Sequence, residues 1–471
     1  MTDICFLTAQ ELKAALAAKE LSAREVVRAH LDQIERVNPK VNAIVTLVAD
    51  RALADAKAAD ERAAAGAELP PLHGIPATHK DLHETAGIRT TYGSPLRADF
   101  VPEQDELIIE RMRAAGVITL GKTNVPEFGA GSHTFNPVFG VTRNPYDTGR
   151  SAGGSSGGAA VALACGMCPI ADGSDTGGSL RNPASFNNVV GFRPSPGRVP
   201  TYPAQLGWTT LNTSGPMART VADTALLLSA IAGPDPRSPI SLEEPGASFA
   251  RPLAADPRGL RVAWSPDLGG QVPVEPEVAA VVEDSARVFA DLGCAVERDC
   301  PDFTGADEVF RTLRAWQFEV SFGPLLETGG LKETIRWNTL EGRRLTGSDL
   351  GRAEVLHTEL FHRIREFFTR YDILLLPVSQ VPPFGIDQEY PTEVAGVPMR
   401  TYLDWMGSAY LISATGCPAL SVPGGFTPGG LPVGVQLVGP HRADFAVLRA
   451  GHAFEQATGF ARRRPAVVDA S

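Results

Sequence analysis

Six cysteines in 471 residues are too few for a disulfide scaffold. Positive charge is also in short supply. The chain carries 43 Lys and Arg against 54 Asp and Glu, a formal net charge of -11, which argues against nucleic acid as a direct partner because phosphate binding needs a basic patch. No segment offers 18 uninterrupted apolar residues, and Met1-Thr2-Asp3-Ile4-Cys5 lacks a basic stretch followed by an apolar core. No membrane association is expected, and the expected location is the cytoplasm. No metal-ligand pattern is complete either. Cys165-Gly166-Met167-Cys168 has the spacing of a redox or metal pair, yet no second Cys or His pair follows at zinc-ligand distance. These two cysteines read as small apolar residues at the end of a buried helix. His79 and His83 flank Lys80, and without a helical pattern there they read as solvated or hydrogen-bonded loop histidines. Neither a metal nor an organic cofactor is signalled.

Glycine, by contrast, is plentiful and concentrated. Gly153-Gly154-Ser155-Ser156-Gly157-Gly158 and Gly173-Ser174-Asp175-Thr176-Gly177-Gly178-Ser179 stand about one helix apart and follow a Lys80-Asp81 pair. Glycine lets backbone N–H groups approach a reacting carbonyl closely, so a serine flanked by such amides brings its own oxyanion hole. A flexible Gly/Ser linker has similar composition. Here each run adjoins an ordered-looking element, Ala159 to Ala164 as a buried helix and Pro169-Ile170-Ala171 as a short strand, so the runs read as parts of a site. The combination points to serine chemistry with a lysine base.

The rest of the chain reads as α/β. Thr8-Ala9-Gln10-Glu11 and Ser22-Ala23-Arg24-Glu25 fit the capping-box pattern, which predicts two leading helices. From Leu72 to about Gly233, and again from Leu260 onward, short apolar strands alternate with helices, which means a sheet with helices on its faces. Predicted helices include 106–115, 220–231, 277–292, 306–322, 351–371 and 445–457. The Pro- and Gly-rich stretch from Gly233 to about Gly259 reads as a surface connection. Sheet signals on both sides of it favour one large domain: residues 1–65 as a helical lead-in packed on a single unit spanning 66–471, with a patterned core at about 72–233 and a less patterned substrate-pocket region at about 260–405.

Two pattern matches fail on their context. Gly116 to Thr123 satisfies the phosphate-loop pattern G-x-x-x-x-G-K-T, but its middle is a β-branched apolar strand and Asn124-Val125-Pro126 follows where a helix is needed. Gly149-Arg150-Ser151-Ala152-Gly153 fits the nucleophile elbow G-x-S-x-G, yet a series of turn formers, Asn144 to Thr148, precedes it in place of a strand.

With those set aside, the arrangement resembles the amidase signature family of serine hydrolases over nearly the whole chain. The resemblance rests on Leu72-His73-Gly74-Ile75-Pro76 through Lys80-Asp81, Gly121-Lys122-Thr123-Asn124 with Glu127-Phe128, Asn144-Pro145-Tyr146, Asp175 through Arg181, Gly215 through Thr220, and Gly430 through Gln436. It implies one large mixed β-sheet flanked by helices on both faces and a Ser-Ser-Lys triad. In that triad Ser179 is the acylated nucleophile, Ser155 the bridging serine behind a cis Gly154-Ser155 bond, and Lys80 the base. It further implies oxyanion donors in the backbone of Thr176, Gly177, Gly178 and Ser179, an acyl-site position for Gly129, which equally reads as a turn glycine, and for Asp175 and Arg181 a bracing role in preference to substrate binding. The chemistry is coherent in itself, since a serine hydroxyl needs a neighbouring base and lysine serves only when neutral, which requires burial. Ala152 and Thr78-His79 depart from the usual family residues, and His79 stands close enough in sequence to perturb the base.

The activity expected is that of a stand-alone amidase, converting a carboxylic amide to acid plus ammonia or amine. The glutaminase subunit of a tRNA-dependent amidotransferase shares the triad and is the alternative; a catalytically silent binding protein ranks below both, because no triad position is lost. Expected partners are a small-molecule amide and no nucleic acid directly; a homodimer stays open. Substrate choice is expected to lie with residues from Thr201 to Leu211 and Phe310 to Trp405, which the sequence does not sort into inward and outward.

Overall fold

A computed structural model describes residues 3–469. The chain is organised around one mixed sheet of eleven strands: β1 (Ile44–Leu47), β2 (Pro76–Lys80), β3 (Ile118–Thr123), β4 (Ile170–Asp175), β5 (Val190–Arg193), β6 (Thr213–Ala218), β7 (Arg261–Trp264), β8 (Ala295–Arg298), β9 (Ile373–Pro377), β10 (Ala419–Phe426) and β11 (Pro432–Val438). Their order across the sheet is β1-β3-β2-β4-β6-β5-β10-β11-β9-β7-β8. Strands β3, β2 and β4 run parallel, as do β9, β7 and β8, while the strands between them pair antiparallel.

Period-two alternation sorts the strand side chains onto two faces, as the pleat requires. Ile373, Leu375, Leu420, Val422, Val435 and Leu437 belong to a core shared with the helices Leu107–Ala114, Val221–Ile231, Pro276–Asp291 and Asp444–Thr458. Leu374, Leu376, Ala263, Ala419 and Val438 face the opposite way, into a core with the helices Ala306–Phe322, Gly347–Phe367 and Gly407–Ala414. Ile118, Leu120, Ala171 and Met217 continue that second side beneath Gly157–Ala164. Helices therefore cover both faces, as expected.

Both leading helices, Ala9–Ala17 and Ala23–Val41, begin with complete capping boxes, Thr8 with Glu11 and Ser22 with Glu25. The first 65 residues are not helical throughout, because Ile44–Leu47 pairs antiparallel with β3 as the edge strand of the sheet. Gly121 allows this approach: a β-carbon there would lie 2.1 Å from the carbonyl oxygen of Thr46. The connection at 233–259 is less superficial than its composition indicated. Within it Gly246–Ala250 forms a 3-10 turn that buries Phe249 against the helix Val221–Ile231. The helix expected over 351–371 runs from Gly347 to Phe367, and a separate helix, Glu333–Arg344, precedes it.

Candidate active site

The parallel strands β2 and β4 end side by side, and open α/β sheets place their ligand sites beyond such carboxyl ends. Lys80 is the last residue of β2; Asp175 is the last of β4 and leads into the Thr176–Ser179 loop. Lys80 is wholly buried, and its Nζ lies 2.8 Å from Ser155 Oγ, 3.0 Å from Ser174 Oγ and 3.2 Å from the Ser174 carbonyl oxygen. Burial pushes its pKa down to about 7, against the opposing pull of the Asp175 and Asp172 carboxylates. Near neutrality this amine is therefore divided between its charged form and the neutral form that can accept a proton.

Ser155 is 2% exposed, behind a cis Gly154-Ser155 bond, at the approach to the helix Gly157–Ala164. Ser179 is half-buried and faces the same cavity, with its carbonyl accepting from the Ser156 N–H at 3.2 Å. Of the three expected catalytic residues, Ser179 is the one most open to the cavity. Its hydroxyl makes no hydrogen bond among the described residues, which leaves it available to a ligand. Ser156 is buried with an unpartnered Oγ, so it is packed beside the site without joining it.

The glycine loop is braced from behind. Arg181 donates to both oxygens of Asp175, Nε to Oδ2 at 3.1 Å and Nη2 to Oδ1 at 3.0 Å, while Arg193 adds a further contact at 3.2 Å. Burial raises the Asp175 pKa, but the two guanidinium groups outweigh it and hold the carboxyl well below the usual range. One expectation needs correction here. The Gly178 N–H donates to Asp175 Oδ1 at 2.8 Å, so it is spent on the brace and is not an oxyanion donor. The N–H groups of Thr176, Gly177 and Ser179 have no partner among the described residues. Gly178 still has a structural reason to be glycine: its φ is +115°, and a β-carbon would sit 2.6 Å from that of Ala409. Gly129, at φ +73°, lines the cavity, and a β-carbon on it would reach 3.5 Å from Ser155 Oγ.

His83 is a hydrogen-bonded loop histidine, as read, although it is buried; His79 departs from expectation, because it is buried in strand β2 rather than in a loop. Their Nδ1 atoms share one buried carboxylate, His79 at 2.5 Å from Asp172 Oδ2 and His83 at 2.6 Å from Oδ1, while the Lys80 backbone N–H also donates to Oδ1 at 3.0 Å. Burial raises the Asp172 pKa, yet the two imidazoles outweigh it and keep the carboxyl far below its ordinary range. Asp172 thus fixes the backbone of Lys80. An acid inside the apolar strand Ile170-Ala171-Asp172 is the sequence signal for it, since a buried carboxylate needs partners.

The other singled-out residues lie in structural roles. Lys122 of the phosphate-loop pattern is buried in β3, with Nζ donating to the His83 carbonyl and to Thr85 Oγ1 at 2.8 Å. Ser151 is buried and paired with His133 Nδ1 at 2.8 Å. Cys165 and Cys168 are unpaired by disulfide and buried in the core beneath Gly157–Ala164.

The cavity above the serines has a volume of about 450 Å³, within the range of small-molecule sites. The segment from Thr201 to Thr209 forms one wall, and Phe310, Arg314, Gln317, Phe318 and Phe322 of the helix Ala306–Phe322 form another. Both stretches fall in the regions expected to set substrate choice. No helix among the described residues is long and apolar enough to cross a membrane.

Comparison with known proteins adds an independent line. Residues 25–448 match the family model described as Amidase. The chain is 37% identical to an acylamidase of Rhodococcus erythropolis, with 98% of each chain covered. It is 36% identical to the A subunit of the glutamyl-tRNA(Gln) amidotransferase of Acidothermus cellulolyticus, covering 97% of this chain and 95% of the relative. Among solved structures it is similar to a bacterial aryl acylamidase of the amidase signature enzymes, with a TM-score of 0.90 at 30% identity and 99% of each chain covered.

Proposed function

The chain belongs to the amidase signature family, and from that premise we propose that it hydrolyses a small carboxylic amide through an acyl-enzyme on Ser179, with Ser155 as bridge and Lys80 as base. The observation that carries this reading is the 2.8 Å contact between the buried, pKa-lowered Lys80 amine and Ser155 Oγ. Neutral Lys80 takes the Ser155 proton while Ser155 takes that of Ser179, and the freed Ser179 oxygen attacks the amide carbonyl. The N–H groups of Thr176, Gly177 and Ser179 receive the negative oxygen, each worth about 3 kcal/mol in related chemistry. Collapse of the tetrahedral intermediate breaks the C–N bond, with the proton returning through Ser155 to the departing nitrogen. Water then attacks the acyl-enzyme by the same relay and releases the acid.

Treatment with a fluorophosphonate and peptide mapping tests the assignment. One adduct on Ser179 that is lost in Lys80→Ala supports it. An adduct on Ser151, or one on Ser179 indifferent to Lys80, removes either the nucleophile or the base.

The relationship to amidotransferase A subunits favours a second reading, a glutaminase that feeds ammonia to partner subunits. Hydrolysis of glutamine with no activity on other amides would select it. Turnover of simple acyl amides by the isolated chain selects the stand-alone amidase.

A further inference from the structure

Arg314 has no counter-charge among the described residues. Its side chain lines the cavity and is only 6% exposed, yet it forms no ion pair among the described residues. Other deeply buried arginines are spent: Arg181 and Arg193 on Asp175, Arg198 on Asp444, and Arg219 on three backbone carbonyls. Among the described residues Arg314 has one hydrogen bond, from Nη2 to the Tyr402 hydroxyl at 2.8 Å, and Tyr402 in turn donates to Asn338 Oδ1 at 3.3 Å. Its Nε is buried without a partner, and Nη1 makes no hydrogen bond among the described residues. The guanidinium is held in place by stacking, 4.2 Å from the centre of the Phe318 ring. Removing a cation from water without a partner costs several kcal/mol, so a neutral, empty wall is a poor explanation of its presence.

Its position along the helix matters. Phe310, one turn earlier, touches the oxyanion loop closely enough that a β-carbon on Gly177 would meet its Cζ at 2.9 Å. Phe318, one turn later, packs with Ala130 beside Gly129. Residues four apart on a helix lie about 6 Å from each other on one face. Arg314 therefore looks into the cavity between the oxyanion loop and the turn that abuts Ser155.

We infer that Arg314 is a substrate-binding residue that receives a carboxylate, so that the preferred substrates are amides carrying a carboxylate at a short distance from the scissile bond. The unspent Nη hydrogens suit the planar geometry of a carboxylate, and Tyr402 and Phe318 pre-orient the fork. This inference rests on the amidase reading above and adds its substrate class.

Matched substrates test it. Succinic mono-4-nitroanilide is compared with the neutral isostere in which a methyl ketone replaces the acid, and N-acetyl-4-aminobenzoate with N-acetyl-4-aminoacetophenone. Wild type is expected to favour the acid of at least one pair by ~10- to ~100-fold in kcat/KM, mainly through KM, as a charge-assisted contact gives. Arg314→Gln abolishes the ratio of acid to isostere within each pair, and Arg314→Lys restores part of it. For amides turned over slowly, competition against fluorophosphonate labelling of Ser179 provides the same comparison. Equal handling of acid and isostere in both pairs by wild type, or an equal loss on both in Arg314→Gln, overturns the inference. Hydrolysis of the neutral isosteres in that case leaves the amidase reading standing, whereas failure to label Ser179 or to cleave any amide removes that reading itself.

Discussion

Replacing Lys80 with methionine should make the protein inactive and more stable, and the gain should depend on pH in a defined direction. Burial brings the Lys80 pKa from 10.5 to about 7. Between those values the unfolded chain holds a proton that the folded one lacks, so folding stability rises as pH rises through this window. Below about 7 both states are protonated and the full penalty of the buried charge applies, at about 1.4 kcal/mol for each pH unit separating the two pKa values, or ~5 kcal/mol. Methionine removes that penalty but also forfeits the contacts to Ser155 and to both Ser174 oxygens, at ~1 kcal/mol each. The net expectation is a Lys80→Met protein more stable than wild type by ~2 kcal/mol at pH 6, in line with the behaviour of buried charges replaced by apolar residues. By pH 9 the advantage should shrink or reverse, because wild type has by then shed about 3 of the ~5 kcal/mol and keeps the contacts. Urea denaturation of both proteins at the two pH values measures this. A variant less stable than wild type at pH 6, or a difference that does not change with pH, would refute the reasoning about Lys80.

Ser155→Ala should lower kcat/KM for amides by ~100-fold or more while leaving the urea midpoint close to wild type, since the side chain is small and its proposed role is proton transfer. Asp175→Ala leaves the buried Arg181 and Arg193 without their carboxylate; a loss of ~3–5 kcal/mol in denaturation is expected, and a loss below ~1 kcal/mol would show that the brace is dispensable. Gly178→Ala combines a positive φ with a clash against Ala409, so a loss of at least ~2 kcal/mol together with slower fluorophosphonate labelling is expected.

Local chemistry made much of this fold legible. The helix expected over 306–322 forms at Ala306–Phe322, and both capping boxes start helices where Thr8 and Ser22 place them. These are short-range signals, and the burial of the opposite face adds to them. Strands β2 and β6 carry no such signal, because Pro76-Ala77-Thr78-His79-Lys80 and Thr213-Ser214-Gly215-Pro216-Met217-Ala218 lack apolar alternation. They are strands because neighbours pair with them and bury their polar groups in partnerships, a tertiary effect that overrides propensity. The same reason hid the deeper parts of the site. Asp172 meets His79 and His83 across about 90 residues of sequence, Arg193 reaches Asp175 across a strand and a helix, and Arg314 joins the cavity only because its helix crosses the glycine loop. Spacing along one chain carries no trace of such meetings. The Gly178 N–H illustrates a smaller limit: the glycine pattern marked the loop, but only the Asp175 contact decides which amides remain free.

The pH dependence of the rate at which a fluorophosphonate modifies Ser179 tests the central assignment most directly. A neutral Lys80 acting through Ser155 predicts a rate that climbs about tenfold per pH unit below the Lys80 pKa and levels off above about 7, with the rise and plateau both lost in Lys80→Met. A rate still climbing above pH 9, or a profile unchanged by Lys80→Met, would contradict it.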